Sequence, residues 1–342
     1  MSASDNYCKE GASTSNDNGV CEVNDMLQNM STANEKDSIV SICANCGKEG
    51  SDVNNMCNKC KMATYCNAAC KKKHRHKHKK ECEEHIRLAA KHAAKLHDEK
   101  LFKQPPSLYG DCPICFIRIP SLVTGHRYMT CCGKEICSGC EYAPVYDDRG
   151  NEVDNKKCPF CRTPDPTSVE EAVKRLKKRV EVGDAIAIYN LAVFYRDGTC
   201  GYPQDYTKAL ELYHRAAELG YSGAYLGIGS AYNNGQGVEV DKKKTKHYYE
   251  LAAMEGDAAA RYNLGVDEGN AGNWKRALNH FMIAVRGGHS KSLKLIKSMY
   301  SKGHASKDDY TKALQSYQKY LGEIKSSQRD EAATAHEQHR YY

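Results

Sequence analysis

The sequence predicts a mainly α-helical chain in which two small cysteine-rich modules precede an α-helical solenoid of repeats. Three observations carry that expectation. Fifteen of the 18 cysteines fall into two dense clusters, residues 43–82 and 112–161. Beyond residue 163 the cysteines cease, Cys200 excepted, and a repeat of 32 to 37 residues begins. Within that repeat, apolar and small residues recur at helical spacing.

Composition narrows the functional classes. The chain has 342 residues, 40% hydrophobic and 27% charged, which is ordinary for several globular units. Tyrosine outnumbers phenylalanine 23 to 5, and there is one Trp, which favours amphipathic packing over a thick dry core. No run approaches the roughly 18 apolar residues of a membrane helix. The polar start, Met1-Ser-Ala-Ser, lacks the basic and apolar regions of a signal peptide. We therefore expect an intracellular protein, cytoplasmic or nuclear, with no membrane contact. Thiols stay reduced there and are read as metal ligands before disulfides.

Residues 1–40 are rich in Ser, Asn, Asp and Gly, and are expected to form a disordered tail in which Cys8 and Cys21 are incidental thiols. Residues 43–82 carry Cys43-x2-Cys46, Cys57-x2-Cys60, Cys66-x3-Cys70 and His78-x3-Cys82. Each pair can place two donors on one metal, and the last two suit one face of a helix. The order and spacing of all eight donors resemble the MYND zinc finger. By that resemblance Cys43, Cys46, Cys66 and Cys70 hold one zinc ion and Cys57, Cys60, His78 and Cys82 another. The family generally binds short peptides of partner proteins. A Trp usual three residues before the ligand histidine is replaced by Arg75, which puts the peptide-binding contribution of that position in doubt. The run Lys71 to Lys80 inside this finger suggests nucleic-acid binding, but no aromatic residue interleaves the charges, and a solvated basic face is expected instead. Residues 83–104 read as a helical linker halted by Pro105-Pro106.

Residues 108–163 carry four more pairs: Cys112/Cys115, Cys131/Cys132, Cys137/Cys140 and Cys158/Cys161. These resemble a RING finger. Lys134 stands where the family usually has a histidine ligand, and lysine does not ligate zinc at neutral pH. Either Cys131 and Cys132 are both ligands, similar to the rarer all-cysteine RING, or His126 substitutes for one of them. By the RING arrangement, Cys112, Cys115, Cys137 and Cys140 share one zinc, and Cys131, Cys132, Cys158 and Cys161 the other. Four zinc ions per chain are then expected. With fifteen thiolates counted, the formal charge of +7 falls to near zero, so net charge does not argue for nucleic acid. RING ligases hold a charged ubiquitin-conjugating enzyme without covalent chemistry of their own. The resemblance implies contacts to that enzyme from Ile114, Pro159 and Arg162; the bland reading of these residues is packing and an exposed charge. A Trp often present before the seventh ligand is absent.

From residue 168 to 325 the repeats follow. Ala187, Ala224, Ala260 and Ser292 begin one series, and Ala209, Thr245, Ala277 and Ala313 the second. Tyr213, Tyr249 and Phe281 occupy equivalent bulky positions, and Gly220, Gly256 and Gly288 end helices. The third unit is four residues short, before Trp274. The pattern resembles Sel-1-like repeats, relatives of the tetratricopeptide array, which present a protein-binding face. Val169 to Val182 would be a capping helix, and Ser326 onward, in the C-terminal tail of residues 326–342, a terminal, partly frayed one. No phosphate loop, nucleophile elbow or SET-like segment is present, and no catalytic side chain is assigned. The reading is a zinc-binding protein-interaction adaptor, with a RING-type ubiquitin ligase as its possible activity. The alternatives are a non-catalytic zinc-stapled scaffold and nucleic-acid binding through the basic helix.

Overall fold

The computed structural model describes residues 41–121, 125–146, 149, 152–153, 157–335 and 337–340. The expected tail over residues 1–40, with Cys8 and Cys21, lies outside them. The chain divides into two compact units, Met1–Lys100 and Leu101–Tyr342.

The first unit is organised by turns rather than by a core. Strands β1 (Asn55–Met56) and β2 (Thr64–Tyr65) pair antiparallel, with Asn55 opposite Tyr65. Among the described residues its buried hydrophobic cluster is Cys43, Val53 and Tyr65, with other cysteines packed around them. Helix α1 (Ala68–Leu101) starts where the Asn67 side chain accepts a hydrogen bond from the Cys70 N–H at 2.8 Å. No Gly or Pro interrupts its 34 residues, and Ala, Lys and Glu sustain them.

In the second unit, hairpin strands β3 (His126–Met129) and β4 (Lys134–Cys137) lead into the short helix α2 (Ser138–Tyr142) and the β5 (Val145–Tyr146)/β6 (Glu152–Val153) pair. Ile119, Met129 and Ile136 are the non-cysteine members of the buried cluster here, beside Cys112, Cys137, Cys140 and Cys158. Three aliphatic side chains bury too little surface to hold such a fold, so its thiols must be cross-linked or ligated.

The repeats form antiparallel helix pairs. Helix α3 (Val169–Glu181) precedes α4 (Ala185–Asp197) and α5 (Tyr206–Glu218), then α6 (Gly223–Asn234) and α7 (Lys242–Met254). Next come α8 (Ala258–Asn270) and α9 (Trp274–Arg286), then α10 (Ser290–Ser301) and α11 (Lys307–Ile324). Capping side chains start most of them. Asp184, Asp205, Asp241 and Asp257 each accept from N–H groups of the first turn, and Ser306 forms a capping box with Asp309. The small residues that mark the repeat, Ala187, Ala224, Ala260, Ala209, Ala277 and Ala313, are all buried. They let helices approach, and Tyr213, Tyr249 and Phe281 fill the space beside them. The approach is tight at Gly229 and Gly265, where a Cβ would lie 2.5 Å from the Tyr249 and Phe281 rings respectively. The shortened third unit loses its residues from the loop between its helices, which shrinks from seven residues before α7 to three before α9. A cation–π pair also repeats: Lys208 lies 4.7 Å from the Tyr195 ring and Lys244 4.9 Å from Tyr232. In the third unit Arg276 and Glu268 replace that pair with an ion pair at 3.2 Å.

The cysteine module is part of this unit. Leu101 is fully buried among Tyr249, Ala252 and Leu264, and Phe102 packs on His280 with ring centroids 4.8 Å apart. Gln104 accepts from Arg286, and the Pro106 carbonyl closes on Gly256, where no Cβ would fit. The Tyr128 hydroxyl donates to the Asp184 carboxylate at 2.8 Å. At the other end of the repeats, the Ser121 N–H donates to the Tyr320 hydroxyl at 2.9 Å and Arg118 pairs with Glu323 at 2.9 Å. The terminal helix expected from Ser326 onward forms as α12 (Ser327–Ala335) and packs against α2, burying Arg329 and Ala332. Among the described residues no helix is long and apolar enough to cross a membrane.

Candidate metal centres

Four Cys-x2-Cys segments share one backbone design. In each, the N–H of the residue after the second cysteine donates to the carbonyl of the first: Gly47 to Cys43 (2.9 Å), Lys61 to Cys57 (3.0 Å), Phe116 to Cys112 (2.9 Å) and Arg162 to Cys158 (2.9 Å). Those residues have φ of 70°, 57°, 57° and 61°, so three non-glycine residues sit in the left-handed region. The turn points both sulfurs to one side. The remaining donors come from regular elements. Helix α1 carries Cys70, His78 and Cys82, the last two one turn apart on one face. Strand β4 ends on Cys137, and α2 carries Cys140. Cys131 and Cys132 occupy the β3–β4 turn, where the N–H groups of Cys132 and Gly133 both donate to the Met129 carbonyl. That tight turn lets adjacent residues aim their sulfurs at one point.

The donors gather into four clusters, in each of which every ligand atom lies within 4.8 Å of the others. They are Cys43/Cys46/Cys66/Cys70, Cys57/Cys60/His78/Cys82, Cys112/Cys115/Cys137/Cys140 and Cys131/Cys132/Cys158/Cys161. In each module the first pair joins the third and the second joins the fourth. The Sγ–Sγ separations are 3.7 Å for Cys46–Cys66, 3.6 Å for Cys66–Cys70 and 3.8 Å for Cys57–Cys82. In the second module they are 3.7 Å for Cys115–Cys137, 3.9 Å for Cys132–Cys158 and 3.4 Å for Cys131–Cys161. A disulfide requires about 2 Å. Four thiolates about 2.3 Å from a tetrahedral zinc ion stand about 3.8 Å apart, so the donor sets fit zinc.

Electrostatics favours the same ion. Burial raises the Cys82 thiol, and its neighbours Cys60 and Cys57 add to the effect, pushing it up to about 12. Burial also raises Cys57, but the backbone N–H groups of Cys60 and Lys59 outweigh it and lower that thiol to about 6. Crowded thiols thus cannot all ionise by themselves, whereas a divalent cation stabilises every thiolate at once. Around His78, Glu81 lies 3.7 Å from Nδ1 and Nε2 faces Cys60 Sγ at 3.2 Å. His74 stacks on His78 and meets the Tyr65 hydroxyl at 3.3 Å, outside the cluster, and His76 is exposed. Likewise His126 lies 3.8 Å from Glu135 and packs on Tyr109, apart from the vicinal cysteines. Lys134 stands 5.8 Å from the Phe160 ring centroid, beside its cluster rather than in it.

Residues 43–82 match the MYND finger. Residues 185–221 and 222–257 each match the Sel1 repeat. Among curated proteins, the chain is 32% identical over 98 residues to the ERAD-associated E3 ubiquitin-protein ligase component HRD3B of Arabidopsis thaliana, covering 28% of this chain and 15% of that protein. It is 28% identical over 129 residues to chitin synthase regulatory factor 4 of Schizosaccharomyces pombe, covering 37% of this chain and 20% of that protein. The chain therefore spans a fifth or less of these relatives. Among solved structures it is similar to a Sel1 repeat protein from Oxalobacter formigenes, at 30% identity and a TM-score of 0.39 over 51% of this chain and 68% of that one. A protective antigen of uropathogenic Escherichia coli gives 25% identity and a TM-score of 0.39, over 50% and 38%. The chain thus combines a MYND finger and Sel1 repeats, modules of protein-interaction adaptors, with four cysteine-rich clusters consistent with zinc sites.

The residues expected to meet a conjugating enzyme lie on two of the knuckles. Ile114 is 36% exposed and Phe160 44%, Phe116 projects with 78% exposure, and Arg162 is exposed beside half-buried Pro159. In the basic run, Lys71 is tied to the Met56 carbonyl and Asn58, whereas Lys72, Lys73, Arg75 and Lys77 face solvent. Two residues near the second module escaped sequence reasoning. Arg329 lies under its first knuckle, and Gly139 admits the backbone of α12; neither sits in a local pattern that would mark it.

Proposed function

We propose that this chain is a zinc-stapled adaptor with RING-type ubiquitin ligase activity, in which the Sel1 repeats and MYND finger bind proteins and residues 108–163 receive a ubiquitin-conjugating enzyme. The supporting observation is that Ile114 and Arg162 are exposed, with half-buried Pro159 beside Arg162, on two knuckles whose cysteines interleave into separate clusters. Zinc held by the sixteen donors supplies structural cross-links. Every functional contact would come from the chain itself: Ile114 and Pro159 as an apolar footing, and Arg162 as a cation whose fork can bond the enzyme and ubiquitin together. Such a ligase works by positioning the charged enzyme for attack. That the relative HRD3B is a component of an E3 ubiquitin-protein ligase accords with this reading. Zinc-loaded protein incubated with a panel of conjugating enzymes should form ubiquitin chains, and I114A and R162A should abolish them while keeping four zinc ions by native mass spectrometry. No transfer by the wild-type protein with any enzyme of the panel would refute the ligase.

A second reading, a structural module without transfer activity, draws on the packing of α12 against α2 and the burial of Arg329 beneath the first knuckle. It predicts that I114A and R162A change nothing measurable.

A further inference from the structure

Arg329 is fully buried, yet no carboxylate among the described residues pairs with it. Its Nη1 donates to the carbonyls of Arg118 (2.7 Å) and Ile324 (2.7 Å). Its Nη2 donates to the Ile117 carbonyl (3.1 Å) and faces Cys115 Sγ at 3.9 Å. A guanidinium removed from water needs an opposite charge as well as hydrogen-bond acceptors. Neutral carbonyls provide only the second. The charge beside it is the Cys112/Cys115/Cys137/Cys140 cluster, which carries a net −2 once four thiolates surround one Zn²⁺. Each side answers the other's deficit: the cluster neutralises the buried cation, and the N–H group withdraws density from the Cys115 sulfur. The contact is also geometrically prepared. A Cβ at Gly139, beside the ligand Cys140, would stand 2.8 Å from the backbone nitrogen of Arg329, so only glycine lets α12 come this close. The Ser138 hydroxyl donates to the His339 carbonyl at 3.3 Å and extends the seam.

We propose that Arg329 is an outer-coordination residue of the Cys112/Cys115/Cys137/Cys140 zinc site, so that metal retention there and docking of the C-terminal helix are one equilibrium. The inference rests on reading that quartet as a zinc site. It makes Arg329 a positioning residue, contributed from more than 200 positions beyond the ligand it faces.

Cadmium-substituted full-length protein, observed by cadmium NMR, tests it site by site. The wild type should give four resonances. R329M should shift one of them and release that metal about tenfold faster to a chromogenic chelator. R329K, which keeps the charge, should restore retention in part while leaving the resonance shifted, a signature a purely packing role would not give. G139A, which leaves Arg329 in the chain but pushes α12 away, should release the same metal faster. Conversely, stripping metal from the wild type should open the α12 segment to trypsin at Arg329. Unchanged resonances and release rates in R329M and G139A overturn the proposal, as does an α12 that stays protected after stripping, which needs no variant to fold. A wild type that binds only two ions, both in residues 43–82, defeats the zinc reading of the quartet instead, and the inference falls with it.

Discussion

Asp184→Ala measures how firmly the cysteine module is fastened to the first repeat, because the repeat supplies its own control. Asp184 caps α4 by accepting from the N–H groups of Ile186 (3.1 Å) and Ala187 (3.2 Å). It also accepts from the Tyr128 hydroxyl of the module (2.8 Å) and from Arg179 Nε (2.9 Å). Loss of the cap costs about 1 kcal/mol. Loss of a hydrogen bond from a half-buried hydroxyl to a carboxylate costs about 1.5 kcal/mol, and loss of the partly exposed Arg179 pair about 0.5 kcal/mol. The sum is about 3 kcal/mol for D184A. Asp205→Ala removes a cap of the same kind on α5, where the carboxylate accepts from the Lys208 N–H of its own helix. It should cost about 1 kcal/mol. Urea unfolding of zinc-loaded protein, followed by far-UV circular dichroism, reads both. A Y128F/D184N double-mutant cycle isolates the tether, with an expected coupling of about 1 kcal/mol. Equal losses for D184A and D205A, with no coupling in the cycle, would refute attachment through Asp184.

Other outcomes follow from the same geometry. Gly265→Ala should destabilise by about 1–2 kcal/mol, overpacking against Phe281 exceeding the gain in helix propensity. Gly322→Ala in α11, with open space around it, should stabilise by up to about 1 kcal/mol, and urea midpoints of opposite shift check the pair. Burial, with Lys291 adding to it, lowers His289 to about 4, below its ordinary 6.5. The unfolded chain therefore takes up the proton first, so this contribution is complete above about pH 6.5 and lost as pH falls towards 4. H289N keeps a capping acceptor and removes the titration, so its stability advantage over wild type should grow from pH 7 to pH 5; a constant difference excludes His289 as the source. Finally, C132S should lower the zinc count by native mass spectrometry and H126A should leave it at four. The reverse pattern would make His126 the ligand.

Much of the candidate site was legible because its determinants are local. A Cys-x2-Cys turn or a helical i, i+4 pair fixes the direction of two donors within five residues, whatever surrounds them. The repeats were legible for a related reason: Ala187, Ala224 and Ala260 must be small wherever helices meet at that distance, and periodicity announces it. Even the short loop before Trp274 follows from the offset. The fastening of the module to the repeats had no such signal. Tyr128 and Asp184 are 56 residues apart, and Arg329 and Ile117 are 212 apart. Each is a common residue type in an unremarkable local setting. Gly139, between two ligands, carries no local sign that it admits the backbone of α12. The segment from Ser326 read as a terminal, partly frayed helix; what the sequence did not mark is its anchor, the buried cation Arg329, which hydropathy counts as an argument for solvent.

The fastening bears on how an adaptor of this design would work. A zinc module on a flexible linker samples many positions, and a bound client meets it at an effective concentration set by linker length. Here residues 101–109 run along the repeats, from Leu101 beside Tyr249 to Pro106 beside Gly256, and leave no slack for such sampling. The module is then held at Asp184 near the start of the repeats and at Tyr320, Glu323 and Arg329 near their end. A protein bound to the repeats would therefore stand at a fixed distance from Ile114 and Arg162. Under the proposed ligase function, selection among lysines of a client follows from that distance, because proximity and orientation are what such an enzyme contributes. The number of repeats between the two attachments becomes a ruler. It also explains why an edge otherwise available for partners is given to the chain's own residues: rigidity is obtained by spending binding surface on the module.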